Sequence, residues 1–354
     1  MIKNDKIGRD GKTGKSPLPR FTGGDAGKKP KVITREDLMK RKTIHVVERP
    51  AGKKSFFKPK AASARGTTAA KVKKVRGHME IAVANLSADL NVMINAAHKA
   101  GRGLLRFMDE LTELKIMQKK DKSLYSAADT DSEAAIVECL NKARPTFSFL
   151  SEEGGELEKE NSESGKKFII DPLDGTSNFL HGIPFFAVSI AMQVNNEVTA
   201  GVIYNPVSDE TFYAEKGGGA YLLSGGNNKR IRVAERSRFI DCIITTGIPN
   251  AKTPGHKEYA AKLSRVMAEV DGIRRTGSAA LDLAYVASGR FDGYFESGVK
   301  AWDIAAGILL VREAGGYVCD YDGNEKDSDL LKGNGIVASS EAIKKNFKKL
   351  LFAK

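Results

Sequence analysis

Two carboxylates three residues apart carry the strongest chemical signal in this chain: Asp171 and Asp174, within Asp171-Pro172-Leu173-Asp174-Gly175-Thr176. The apolar run Phe168-Ile169-Ile170 precedes them and Ser177-Asn178-Phe179-Leu180-His181 follows. The pattern predicts a buried strand that ends in a tight turn, sets two carboxylates side by side and opens into a helix. Such carboxylates repel each other until divalent cations sit between them. Gly175 and Thr176 would offer free backbone N–H groups at the helix start, where a phosphate binds. Carboxylates for metal beside amides for phosphate outline a metal-assisted phosphatase. A turn built only for structure does not need two acids, a proline and a threonine.

Three further acidic clusters fall where strands end or helices start. Asp129 and Asp131 precede a helix expected over 132–144, Glu152-Glu153 follows the short strand 147–150, and Asp303 opens a helix after Trp302. Taken singly, each has a plain reading as a helix cap or a solvated loop. Together they suit Mg²⁺, which takes oxygen ligands in octahedral geometry and keeps several waters. The five His form no HxH or HExxH pattern, so a His-ligated metal is not expected. Cys139, Cys242 and Cys319 are scattered, which fits a reducing cytosol and argues against a structural zinc site. A phosphoaspartate mechanism of the haloacid-dehalogenase kind expects Asp-x-Asp, whereas this chain has Asp-x-x-Asp.

Ser151-Glu152-Glu153, the stretch from Asp171 to Phe179, and Trp302-Asp303-Ile304-Ala305-Ala306-Gly307 with Glu313-Ala314-Gly315-Gly316 resemble signatures of the inositol monophosphatase family. Gly277-Ser278-Ala279-Ala280-Leu281-Asp282 and Gly293-Tyr294-Phe295-Glu296 are similar to two more, in the family's order and near its spacing. The resemblance covers about residues 80–354, is nearest to the bacterial extragenic-suppressor type, and leaves 1–78 unmatched. It implies an α+β fold, a layered α-β-α-β-α sandwich shared with the fructose-1,6-bisphosphatases. It further implies a lithium-sensitive, cytoplasmic homodimer that uses two or three Mg²⁺ to hydrolyse inositol 1-phosphate to myo-inositol and phosphate. By this resemblance Glu152, Asp171 and the Leu173 carbonyl hold a first Mg²⁺, and Asp171, Asp174 and Asp303 a second. A third ion would sit near Glu152 through waters. Thr176 with Asp129 would orient and deprotonate the attacking water, and the Gly175 and Thr176 amides would take the phosphate. Glu152, Asp174, Gly277, Ser278, Ala279, Glu296 and Asp303 would meet the substrate. The family also places a Lys before the segment matching Asp129; Lys119, Lys120 and Lys122 all stand there. Sister families act on fructose 1,6-bisphosphate, 3′-phosphoadenosine 5′-phosphate and histidinol phosphate. The latter two usually carry Lys after the Thr, where Ser177-Asn178-Phe179 is closer to the inositol type. A carboxylate at Glu296 also suits a polyhydroxyl ring, because it accepts hydrogen bonds from hydroxyls.

These residues must be positioned by a globular core, and 41% hydrophobic composition is enough for one. No run approaches the roughly 20 apolar residues of a membrane span, and no apolar secretory leader is evident. Helical spacing predicts a long helix, or two, over 82–117, and further helices over 256–270, 279–287 and 303–314. Strands are expected at 167–170, 185–194, 199–204, 210–214, 219–222, 229–233 and 242–246. Asn195-Asn196 reads as a hairpin turn, and Gly217-Gly218-Gly219 as a hairpin turn rather than a phosphate loop, since no helix signal follows it. The subdomains are read as 79–225, α+β and metal-binding, and 226–354, α/β. Residues 1–78 carry 23 Lys and Arg against 6 Asp and Glu, a net of +17, while the remainder carries 34 against 38. That segment is too poor in apolar residues to offset its ordering entropy and is expected to be disordered, apart from a short element near 36–47. It reads either as a solvated tail upstream of a start at Met79, or as a basic arm for RNA or another polyanion. The second possibility supports a rival reading, a regulatory RNA- or ribosome-associated protein that keeps the phosphatase fold.

Overall fold

The structure, a computed structural model, describes residues 86–111, 126–157, 165–249 and 254–352, with the backbone of short strands at 68–69, 71–75, 78–82, 116–118 and 124–125. In chain order it opens with β1 (Thr68–Ala69), β2 (Lys71–Val75), β3 (His78–Ala82), α1 (Ala88–Asp109), β4 (Ile116–Gln118), β5 (Leu124–Ser126), α2 (Ala127–Ala143), β6 (Ser148–Ser151) and β7 (Gly155–Leu157). Then come β8 (Lys166–Asp174), α3 (Thr176–Leu180), β9 (Ala187–Val194), β10 (Glu197–Asn205), β11 (Glu210–Glu215), β12 (Gly219–Ser224) and β13 (Asn227–Arg230). The second half holds β14 (Ile243–Thr246), α4 (His256–Met267), β15 (Gly272–Arg274), α5 (Ala279–Ala287), β16 (Gly293–Glu296), α6 (Ala301–Glu313), β17 (Gly316–Cys319), α7 (Asp327–Leu330), β18 (Ile336–Ser340) and α8 (Lys344–Phe352).

Period-two alternation builds the layers. Along β9, Val188, Ile190 and Met192 face one apolar cluster with α1 and α2, while Ala187 and Ala191 face another with α5 and α6. A nine-stranded sheet, in the order β1-β13-β12-β11-β10-β9-β8-β6-β7, therefore lies between two helical layers. Beyond α5 and α6 lies a five-stranded sheet, β15-β14-β16-β18-β17, whose outer face is covered by α4 and α8 through Tyr259, Val266, Phe347 and Leu351. The result is the expected α-β-α-β-α sandwich. β13 pairs with β12 and β1, both before position 225, and α6 packs on β8 to β12 from before it and on α5, β17 and β18 from after it, so one apolar core draws on both predicted subdomains.

Several local expectations change. The first helix is shorter than 82–117. Ser87 caps it, its Oγ accepting from Leu90 N at 3.2 Å, and it stops at Asp109, where acidic Asp109-Glu110 opposes the helix dipole. Ala82 and Met117 lie in β3 and β4. Part of the segment read as disordered is paired: Thr68 and Ala69 align with Asn228 and Asn227, and β2 pairs with β3. The rest of that segment, including 36–47, and Lys119, Lys120 and Lys122 lie outside the described residues. The Gly217–Gly219 hairpin holds as a turn, and its amides are used internally: Gly217 N and Gly219 N each donate to the Glu313 carboxylate at 2.7 Å.

Candidate active site

The Asp171–Thr176 turn ends β8, buried from Phe168 to Asp174 because neighbours flank it on both edges and helices on both faces. Its pairing with β9 breaks register between Asp171 and Asp174, and Asp171 Oδ1 accepts from Leu173 N at 3.0 Å inside that irregularity. Pro172 lacks an N–H, and its carbonyl accepts from Ser132 Oγ at 2.9 Å, which ties the turn to α2. Gly175 then turns the chain at φ 94°, with backbone of Phe185, Phe186 and Gly277 within 3.3 Å of where a Cβ would stand, so only glycine fits. α3 starts at once, and the peptide N–H groups of its first turn have no intrahelical partner.

Asp129 stands in the first turn of α2 rather than before the helix. Ser126, upstream of both Asp129 and Asp131, is the cap: its Oγ accepts from Ala128 N, while Asp129 Oδ2 accepts from Ser126 N and Oγ at 2.8 and 2.9 Å. The Ser-x-x-Asp spacing at 126–129 is the signal that marks this start. Asp129 Oδ1 lies 3.3 Å from Thr176 Oγ1, which also lies 3.1 Å from the Leu173 carbonyl. Burial pushes the Asp129 carboxyl up to about 7, against the two Ser126 hydrogen bonds, with Glu153 and Glu152 adding to the rise. Asp131 is exposed and takes no part.

The other half of the chain closes the site. Ser278 caps α5 and its Oγ donates to Asp174 Oδ2 at 2.5 Å, where Ala280 N also donates at 2.7 Å. Ser278 is 1% exposed and does not line the pocket; its hydroxyl donates to Asp174 and accepts from Leu281 N. Asp303 lies in the first turn of α6, its Oδ2 accepting from Lys300 N at 2.7 Å. A pocket of about 190 Å³ gathers Glu152, Asp171, Asp174 and Asp303 with Gly175, Thr176 and the Leu173 carbonyl residue, and Gly277, Ala279 and Glu296 also line it. Asp129 touches the pocket only through Thr176. Gly247, Arg275, Gly298 and Val299 line it as well and were not foreseen. Arg275, next to the Gly277 segment, carried a positional signal; Gly247 and Val299 carried none.

Five carboxylates against one guanidinium make the pocket strongly negative. Burial raises the Asp171 carboxyl well above its usual range, and Glu152, Asp174 and Asp303 raise it further. Asp303 is raised likewise by burial and then by Asp174. A phosphate ester entering this field would be repelled unless cations intervene. Among the described residues no three Asp, Glu, His or Cys side chains converge as a ready-made ligand set. Asp171, Asp174 and Asp303 each spend one oxygen on peptide or hydroxyl donors and keep the other without a protein donor among the described residues. An all-oxygen donor set with unspent carboxylate oxygens fits a hard divalent cation.

A family model described as the inositol monophosphatase family matches residues 85–353. An inositol-1-monophosphatase of Mesorhizobium japonicum is 50% identical over 259 residues, which cover 73% of this chain and 94% of the relative. A Pasteurella multocida protein named Nus factor SuhB is 41% identical over 261 residues, covering 74% and 95%. Among solved structures, the extragenic suppressor protein suhB from Bartonella henselae is similar at TM-score 0.71 and 50% identity, over 75% of this chain and 99% of that one.

Proposed function

We propose that this chain, which belongs to the inositol monophosphatase family, is a Mg²⁺-dependent hydrolase of phosphate monoesters whose alcohol is a polyol, inositol 1-phosphate first among them. The observation that carries the reading is the pocket itself: Glu152, Asp171, Asp174 and Asp303 line one cavity together with groups that suit an anionic, hydroxyl-rich ligand. Mg²⁺ would be held by Glu152, Asp171, Asp174, Asp303 and the Leu173 carbonyl, and when bound it supplies charge neutralisation and a more acidic water. The chain's own groups do the rest. The Gly175 and Thr176 amides bind phosphoryl oxygens and hold the phosphorus in line with an attacking water. Thr176 donates its hydroxyl proton toward Asp129, which leaves an oxygen lone pair to accept from that water and orient it. Asp129, held near 7 by burial, accepts a proton at neutral pH. Water adds to phosphorus as the ester P–O bond breaks, its proton passing by way of Thr176 to Asp129; the leaving alkoxide takes a proton from solvent, and alcohol and inorganic phosphate leave. Gly277, Ala279 and Glu296 receive the alcohol part, Glu296 as acceptor for its hydroxyls.

Steady-state rates on inositol 1-phosphate, fructose 1,6-bisphosphate and 3′-phosphoadenosine 5′-phosphate with Mg²⁺ test the reading. The highest kcat/KM is expected on inositol 1-phosphate. A preference for the nucleotide would move the chain to a sister activity, and no turnover of any ester would overturn the hydrolase reading. A second reading, that the chain also serves an RNA-associated regulatory role, is favoured by the relatives named Nus factor SuhB and by the net +17 of residues 1–78.

A further inference from the structure

Glu296 ends β16, and Tyr294, two positions earlier, shares its face of the strand. Tyr294 is fully buried, and its hydroxyl donates to Glu296 Oε2 at 2.7 Å. Gly247 follows β14, the parallel neighbour of β16. Thr246 Oγ1 donates to Phe295 O at 2.6 Å, which locks the two strand ends together beside the pocket. A Cβ at position 247 would lie 1.8 Å from the Glu296 carboxyl carbon and Oε1 and 2.1 Å from Oε2, so the whole carboxylate occupies the space that a side chain would take. Gly247 does not have a positive φ, so glycine's backbone freedom is not what the position uses; a side chain there would force the Glu296 carboxylate out of its place. No other glycine in the described residues is approached this closely by a carboxylate.

We infer that Gly247 and Tyr294 are positioning residues that set specificity for the alcohol part of the ester: Gly247 leaves the space that the Glu296 carboxylate fills, and Tyr294 holds Oε2, so that Oε1 is presented to a substrate hydroxyl. The inference rests on the hydrolase reading above and deepens it. A carboxylate fixed at this point accepts from a hydroxylated leaving group and disfavours an anionic or wholly apolar one. A flexible glutamate would meet the same hydroxyl only after losing side-chain entropy, and the Tyr294 hydrogen bond removes that cost before substrate arrives.

The test compares inositol 1-phosphate with p-nitrophenyl phosphate, which has no hydroxyl for Glu296, on the full chain with Mg²⁺. Tyr294→Phe is expected to raise KM for inositol 1-phosphate roughly tenfold, the scale of one hydrogen bond to a charged group, with kcat and p-nitrophenyl phosphate kinetics little changed. Gly247→Ala is expected to lower the ratio of the two kcat/KM values further. In a Glu296→Ala background, either change should then add nothing, because the group it positions is gone. Equal losses on both esters, or an unchanged ratio in a folded Tyr294→Phe enzyme, would overturn the inference alone. A wild-type chain that hydrolyses p-nitrophenyl phosphate but shows no preference for the polyol ester overturns it too. A wild-type chain that hydrolyses neither overturns the proposed function along with it.

Discussion

Asp171 is costly to the fold and, on the function proposed above, necessary to the chemistry. It is 1% exposed and surrounded by Glu152, Asp174 and Asp303, so its charge is opposed by burial and then by three like neighbours. Its pKa is raised on folding, so above the ordinary carboxylate range the group costs the native state stability relative to the unfolded chain, which carries the charge freely. Without divalent cation, Asp171→Asn should therefore raise the melting temperature, by about 2–4 °C for each kcal/mol relieved in a chain of this size. The same change should reduce Mg²⁺-supported turnover by roughly 10²-fold or more. Thermal scans with and without Mg²⁺ check the first claim. A lower melting temperature for the variant without cation would show that Asp171 is structural. Thr176 belongs at the same scale. If its hydroxyl acts on the nucleophile and not on ground-state binding, as proposed, Thr176→Ala should lower kcat roughly 10²-fold and leave KM nearly unchanged. A pure KM effect would reassign it to substrate binding. The acidic residues were legible because Asp-x-x-Asp at a strand end has few structural uses. Spacing brought Ser278 near the site but could not show that its hydroxyl donates to Asp174, since a pattern does not disclose which neighbour a side chain bonds.

At the level of elements, periodicity identified α5 to the residue and β9 to β12 within two residues at each end, since their apolar faces repeat at 2.0 or 3.6, but it ended β8 four residues short, set β13 two to three residues late and gave no sign of β7. It failed for the first helix, where Ser87 and the Asp109-Glu110 end override a pattern that continues to Leu111 and beyond. It also placed the start of α2 late, because the Ser126–Asp129 capping pair lies upstream of the apolar repeat. The helix-to-sheet contact hides a titratable group that no pattern disclosed. His98 of α1 stacks on Tyr204 at 3.8 Å, and its Nε2 lies 2.7 Å from Thr211 Oγ1. Burial lowers its pKa to about 4. The unfolded chain binds this proton near pH 6.5 and the native state near 4, so the unfolded state holds more protons between those values. Stability from neutral His98 is thus full above about 6.5 and lost as pH falls toward 4, on the order of 2–3 kcal/mol in all. Urea midpoints of wild type and His98→Gln across pH 7 to 4 measure it. The variant should show the shallower fall, and parallel curves would mean that His98 does not titrate with unfolding.

The whole molecule is divided in charge, +17 over residues 1–78 against −4 over the rest, and the pocket lies wholly in the second part. The pairing of Thr68–Ala69 with β13 and of Lys71–Val75 with β3 moves the boundary of the folded unit upstream of Met79. A chain beginning at Gly66 should keep hydrolysis within roughly twofold of the full chain, because no pocket residue precedes Glu152. If the basic segment serves RNA, only the full chain should bind it, with log affinity falling linearly in log salt. Equal RNA binding by the shortened chain would place that role in the globule. The sandwich was legible from resemblance and from alternating strand and helix patterns. The partition at 225 was less legible, because a core shared by two sheets leaves no composition break in the sequence. The most direct test of the central claim, that a crowded carboxylate pocket works through bound divalent cation on a polyol phosphate, is phosphate release from inositol 1-phosphate as Mg²⁺ is titrated into chelator-treated protein. The account predicts no release at zero Mg²⁺ and a saturable rise that Asp171→Asn cannot reproduce at any concentration. Full release in the presence of chelator, or an Asp171→Asn enzyme restored by Mg²⁺ to the wild-type rate, would contradict it.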